Sequence, residues 1–106
     1  MPKYLTVASY TPEGAKGLLK EGGTARRAVV EKLMKSLGGH LEAFYFAFGE
    51  NDAYLITEVP DNVTSAALSL TVSASGSIRT KTIVLLTPEE IDQAAKKTVK
   101  FRPPGS

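Results

Sequence analysis

From Tyr4 to Tyr10 the side chains alternate, with Leu5 and Val7 toward one face and Tyr4, Thr6, Ala8 and Tyr10 toward the other. That is the period-two signature of a β-strand. Thr11-Pro12-Glu13 follows. A threonine that can cap, a proline that fits the first helical position and an acid suited to the positive end of the dipole predict a short helix. Gly22-Gly23 breaks it, and Thr24 is placed to cap a longer helix to about Leu37. There Val30, Leu33, Met34 and Leu37 fall at i, i+3, i+4 and i+7, an amphipathic stripe. Gly38-Gly39 ends the helix.

The segment from His40 to Val59 predicts a hairpin whose first strand, Leu41 to Phe48, is apolar on both faces. Phe44, Phe46 and Phe48 fall on one side, and Leu41, Ala43, Tyr45 and Ala47 on the other. A strand covered on one side only should alternate apolar with polar. Gly49-Glu50-Asn51-Asp52 forms the turn, with Gly and Asn supplying backbone freedom and Asp52 able to bond its own backbone. The second strand runs from about Ala53 to Val59, Pro60 stops it, and Asp61 can cap another helix. The apolar stripe of that helix is Val63, Ala66, Ala67, Leu70 and Ala74. Its serines and threonines make it intrinsically weak, so packing must hold it. After Gly76, Ser77 to Leu86 predicts a fourth strand, with Ile78, Thr80, Thr82, Val84 and Leu86 opposed to Arg79, Lys81, Ile83 and Leu85. Thr87-Pro88-Glu89-Glu90 is a capping-box helix start. This last helix reaches about Thr98, and the tail Phe101 to Ser106 is expected to lie extended along the surface.

The order β-α-β-β-α-β predicts an α+β, ferredoxin-like fold with an antiparallel four-stranded sheet and an extra C-terminal helix. We expect one domain over residues 1–99 and an extended tail over 100–106. In that topology the Leu41–Phe48 strand is a sheet edge, and a long apolar edge is an association site unless covered. The helices cover one sheet face. A second subunit is the simplest cover for the other, so the expected partner is a second copy of the chain, in a homodimer or higher homo-oligomer. Phe44, Phe46 and Phe48 are its candidate interface.

Composition narrows the chemistry. The chain has 106 residues, 42% hydrophobic and 23% charged, as in ordinary soluble domains. A net charge of +2 lacks the dense basic patch that nucleic-acid binding needs. There are no cysteines and one histidine. Disulfides and thiol catalysis are excluded, and a metal site would need carboxylates or a second subunit. No metal and no cofactor is expected. No apolar run approaches the ~20 residues of a membrane span, and Met1-Pro2-Lys3-Tyr4 lacks a signal pattern. The default expectation is cytoplasmic, with no membrane association.

Gly38-Gly39-His40-Leu41-Glu42-Ala43-Phe44-Tyr45, Gly49-Glu50-Asn51-Asp52, Pro60-Asp61, Ile78-Arg79-Thr80 with Thr82, and Thr87-Pro88-Glu89-Glu90 together resemble the GYD domain family. The resemblance covers roughly Tyr4 to Ala95. It implies a bacterial or archaeal protein of the dimeric α/β-barrel superfamily. That superfamily holds cofactor-free monooxygenases, lactone isomerases, haem-degrading enzymes and plain ligand-binding modules, so fold does not fix function. Asn51 stands where the family's G-x-Y-D signature has tyrosine, while Gly49 and Asp52 match.

The candidate ligand-binding residues are Tyr10, His40, Tyr45, Asp52, Tyr54 and Arg79. Tyrosines give an apolar wall with polar handles, and serve equally as packed residues. Arg79, in the family-like Arg-Thr pair, can bind an anion, or with Lys81 can pair with Glu42 or Glu58 across strands. His40 can act as acid or base, or sit as a surface histidine at a strand start. Glu50 and Asp52 can move protons or simply shape the turn. No phosphate loop or nucleophile elbow occurs, and no catalytic residue is assigned. Two functions stand side by side. One is a homo-oligomeric small-molecule-binding domain, or a cofactor-free oxygenase or isomerase, with a cavity at the sheet face. The other is a non-enzymatic assembly or regulatory module.

Overall fold

Three of the four predicted N-caps, Thr11, Asp61 and Thr87, open a helix in the computed structural model, which describes residues 1–106. Strand β1 is Lys3–Tyr10. Helix α1, Pro12–Glu21, is capped by the Thr11 hydroxyl, which accepts from the Gly14 N–H at 3.2 Å. Helix α2 is Gly23–Ser36; Gly22 at φ +90° is its N-cap, so it starts ahead of Thr24, which does not cap it. Strands β2, His40–Phe46, and β3, Ala53–Glu58, form the hairpin. Asp61 caps α3, Asn62–Ala74, taking the Thr64 N–H and hydroxyl at 2.8 Å each. These two bonds hold the Asp61 carboxyl below its ordinary range. Strand β4 is Ile78–Leu85, and α4, Pro88–Ala95, opens on the full Thr87–Glu90 capping box. No helix is long and apolar enough to cross a membrane.

The sheet is antiparallel in the order β2-β3-β1-β4, with helices α2 and α3 on one face, a ferredoxin-like α+β fold. The helix-side face carries Tyr4, Thr6, Ala8 and Tyr10 of β1, Ala53, Leu55 and Thr57 of β3, and Ile78, Thr80 and Thr82 of β4. Its core divides into two small clusters. In the first, Tyr4, Met34 and Val59 pack with Leu37, Leu41 and Leu68; in the second, Ala8, Ala53 and Leu55 pack with Phe44 and Ile78. The buried Tyr4 hydroxyl donates to Asn62 Oδ1, anchoring the start of α3.

Two elements depart from the expected pattern. The β2–β3 register slips between Leu41 and Ala43, a bulge at Glu42. Such an inserted residue reverses the alternation. Leu41 therefore joins Phe44 on the helix side instead of Ala43 and Tyr45 on the open side. In α3 the helix turns Ser65, Leu68, Ser69 and Val72 to the sheet. Val63 and Leu70, expected in its buried stripe, are 79% and 73% exposed.

The opposite sheet face is open. Leu5, Val7, Ile56 and Ile83 line its middle, Tyr45 and Tyr54 pair across its β2–β3 side, and Arg79 and Lys81 sit at its β4 edge. Every residue from Pro88 to Ser106 is exposed, so α4 and the tail stand away from the domain as an arm. The chain measures 57 × 33 × 23 Å, with a radius of gyration of 17.0 Å against about 13 Å for a compact chain of this length. Its accessible surface is 7729 Å², and a globular monomer of this mass exposes about 5,700 Å².

Candidate functional site

Helices α2 and α3 cover opposite halves of the same sheet face, α2 against β2 and α3 against β4. Between them, over the helix-side face, is a cleft of about 90 Å³. The sequence builds it from small residues. Its floor is Thr6, Ala8, Ala53, Thr57, Thr80 and Thr82, too short to fill the space that Leu or Ile would. Val30, Leu33 and Met34 of α2 form one wall, Ser65, Leu68, Ser69 and Val72 of α3 the other, and Phe44 closes the β2 side. Ser69 and Thr82 share a hydrogen bond of 3.1 Å across the α3 side.

Tyr10 and Arg26 stand at the mouth. With Ile78 they also border a wider recess of about 500 Å³, formed by α1 and Ser77. Gly14 permits that recess: a Cβ there would lie 2.0 Å from the Ser77 carbonyl oxygen, so only glycine lets α1 approach the start of β4. Burial pushes the Tyr10 phenol above its ordinary range, opposed by Arg26 and reinforced by Glu21 and Asp52. Tyr10 is thus a neutral hydrogen-bonding group near neutral pH. The Arg26 guanidinium is held loosely by Glu21 at 3.6 Å. The cleft offers an apolar slot, a row of hydroxyls, and a phenol and a cation at its entrance.

Of the six candidate ligand-binding residues, Tyr10 lines this cleft. Asp52 adjoins it through the Tyr10 backbone, whose N–H donates to Asp52 Oδ2 at 2.8 Å. Tyr45 and Tyr54 are register partners on the open face, 72% and 39% exposed. His40 lies on that face too and pairs with Glu58 at 2.7 Å, its direct neighbour across the hairpin. Glu42 pairs instead with Lys3 at 2.9 Å. Strand β1 separates β4 from β2 and β3, and Arg79 and Lys81 lie beside Ser9 and Val7 while Glu42 and Glu58 lie at the Lys3 end. Arg79 and Lys81 therefore have no carboxylate partner in the chain, contrary to the cross-strand pairing considered for them. Phe44 and Phe46 touch each other with ring centroids 4.9 Å apart, and Phe48 projects fully into solvent. Arg26 is one of the adjacent pair Arg26-Arg27, which by sequence alone has the look of a solvated helix face. The signal for the cleft was the stripe Ser65, Leu68, Ser69 and Val72 at i, i+3, i+4 and i+7, facing alternate threonines of β4.

Residues 4–95 match the GYD domain. The chain belongs to the GYD domain family. Neither a curated protein nor a solved structure matches the sequence. The geometry explains the aspartate of the GYD turn. Past Ala8–Ala53 the β1–β3 ladder ends, and Asp52 takes the Tyr10 N–H that β3 no longer reaches. Its backbone N–H also donates to the Ala8 carbonyl at 2.9 Å, so this residue staples the hairpin turn to β1 rather than bonding its own backbone. Neither Gly49 nor Asn51 has positive φ, so the turn does not draw on the backbone freedom expected of them. Asn51 works through its side chain, accepting from the Ser9 hydroxyl at 3.1 Å and reaching the Tyr54 hydroxyl at 3.5 Å.

Proposed function

We propose that this GYD domain protein binds a small, mostly apolar molecule bearing one oxygen-rich end, in the cleft between the sheet and helices α2 and α3, and does so as a homo-oligomer. The observation that carries the reading is the apolar slot with the Tyr10 phenol and Arg26 guanidinium at its mouth. Ligand sites are characteristically apolar concavities with a few placed polar groups. The body of the ligand would lie against Val30, Leu33, Leu68 and Val72. Its polar end would meet Tyr10 as a hydrogen-bond donor and Arg26 as a planar cation suited to carboxylate. Self-association is supported by the open sheet face and by the ~2,000 Å² of surface in excess of a compact monomer.

Titration of isotope-labelled protein with octanoate and with octanol, followed by methyl NMR, tests the site. Both should shift the methyls of Val30, Leu33, Leu68 and Val72 saturably. Arg26→Gln should weaken octanoate while leaving octanol unchanged. Saturable shifts confined to the open face, or none at all, would refute the cleft as a binding site.

A further inference from the structure

The arm and the open sheet face are the two large unpartnered surfaces of the chain, and their charges are ordered in opposite senses. Along the open face, one end carries Arg79 and Lys81, which pair with no carboxylate of the chain. The middle is apolar, with Val7, Ile56 and Ile83. The other end carries Glu42 and Glu58, set against Lys3 and His40. Along the arm the order is inverted: Glu89 and Asp92 come first, Ile91, Ala94 and Ala95 follow at helical spacing, and Lys96, Lys97 and Lys100 close it. The lengths agree. From Arg79 to Leu85, beside Lys3, is ~20 Å of strand, and Glu89 to Lys100, a helix followed by extended chain, reaches about the same distance.

We infer that α4 and the basic segment after it lie across the open sheet face of a second copy of this chain, with the acids of α4 over Arg79 and Lys81 and the lysines over Glu42 and Glu58. Three further observations favour a second copy as the occupant. An eight-residue helix is too short to be stable alone in water, yet every residue of this one is exposed. Ile91, Val99 and Phe101 are 53%, 79% and 75% exposed. The ~2,000 Å² of excess surface per chain exceeds the ~800 Å² per partner that a standard stable interface buries. The outward stripe of α3 is apolar as well, but residues 62–76 carry no charge and offer the arm nothing to match.

This inference rests on the self-association proposed above, and the test separates the two. The chain has no cysteine, so single cysteines report contacts cleanly. Full-length Ile83→Cys protein is mixed with full-length Ile91→Cys protein and oxidised, alongside each alone and alongside Ile91→Cys mixed with Leu70→Cys. A disulfide-linked heterodimer of the 83 and 91 variants is the expected main product. Linkage of 83 to 83 signals sheet-on-sheet packing, and linkage of 70 to 91 signals docking on α3; either overturns the inference and leaves self-association standing. By sedimentation equilibrium, Arg79→Glu with Lys81→Glu should raise the dimer dissociation constant about tenfold or more. Adding Glu89→Lys and Asp92→Lys to the same chain should restore it. Failure of that restoration overturns the charge pairing. A wild-type chain that is monomeric at micromolar concentration sinks both the inference and the self-association beneath it.

Discussion

Removing the Asp52 carboxylate isolates one interaction, because the backbone bonds of this residue remain. Asp52→Ala keeps the Asp52 N–H to the Ala8 carbonyl and the Ala47 N–H to the Asp52 carbonyl, at 2.9 and 2.8 Å. It deletes only the 2.8 Å bond from the Tyr10 N–H. A bond to a charged acceptor contributes about 1.5–3 kcal/mol. The site is half-buried, so water partly replaces the lost acceptor and the lower end applies, about 1.5 kcal/mol. With an unfolding entropy of about 2.1 cal/mol/K per residue, that loss lowers Tm by about 7 °C. Asp52→Asn retains an acceptor oxygen and should lose less than half as much. Both variants remove the negative charge that helps raise the Tyr10 phenol, so both should lower its pKa. Urea and thermal unfolding by circular dichroism read the first effect, and ultraviolet titration of the phenol reads the second. An Asp52→Ala protein within 0.5 kcal/mol of wild type would refute the stapling role. An unchanged Tyr10 titration in both variants would refute the electrostatic one.

Alkaline pH should destabilise the fold, because Tyr4 and Tyr10, whose phenols burial raises above 10.0, and Lys3, raised above 10.5 chiefly by its bond to Glu42, hold their protons more tightly folded than unfolded. That stability is complete below the unfolded values and falls as pH climbs through the folded ones; urea midpoints between pH 9 and 12 should drop, less steeply in Tyr4→Phe with Tyr10→Phe. The Asp61 contribution has the opposite sign: present above the ordinary carboxyl value of 3.8, lost as pH falls through the lower folded value. Asp61→Asn should flatten that acid limb in the same urea series. Met34→Ala, at a side chain 2% exposed, should cost about 2–5 kcal/mol by chemical denaturation. Gly14→Val should destabilise by ~1–3 kcal/mol through collision with the Ser77 carbonyl, and a variant of wild-type stability would show that α1 is free to move.

The caps and the topology were readable because each rests on local chemistry. Thr11, Asp61 and the Thr87–Glu90 box bond within three residues of themselves, and β4 alternates as its sequence does. Long-range registration was not readable. Nothing in Leu41-Glu42-Ala43 announces a bulge, since no glycine marks it, and without the bulge His40 could not be matched to Glu58 or Glu42 to Lys3. Helix α3 misled for a different reason. Its more hydrophobic stripe faces outward, because the floor beneath it is threonine and alanine, and Ser69 has Thr82 to bond. The cleft was therefore hidden in residues that look like a weak helix. Arg26 reads as one of two adjacent solvated arginines until the fold sets it beside Tyr10.

The bulge at Glu42 also makes the two borders of the sheet unequal. On β4 the hydrogen-bonding rim runs unbroken from Ile78 to Leu85, whereas on β2 it is interrupted two residues after it begins. Filament growth by strand templating needs two competent rims per molecule, one to receive and one to donate. A molecule with a single intact rim can add one neighbour there, after which the stack is closed, and fibre formation from the folded state has no second step.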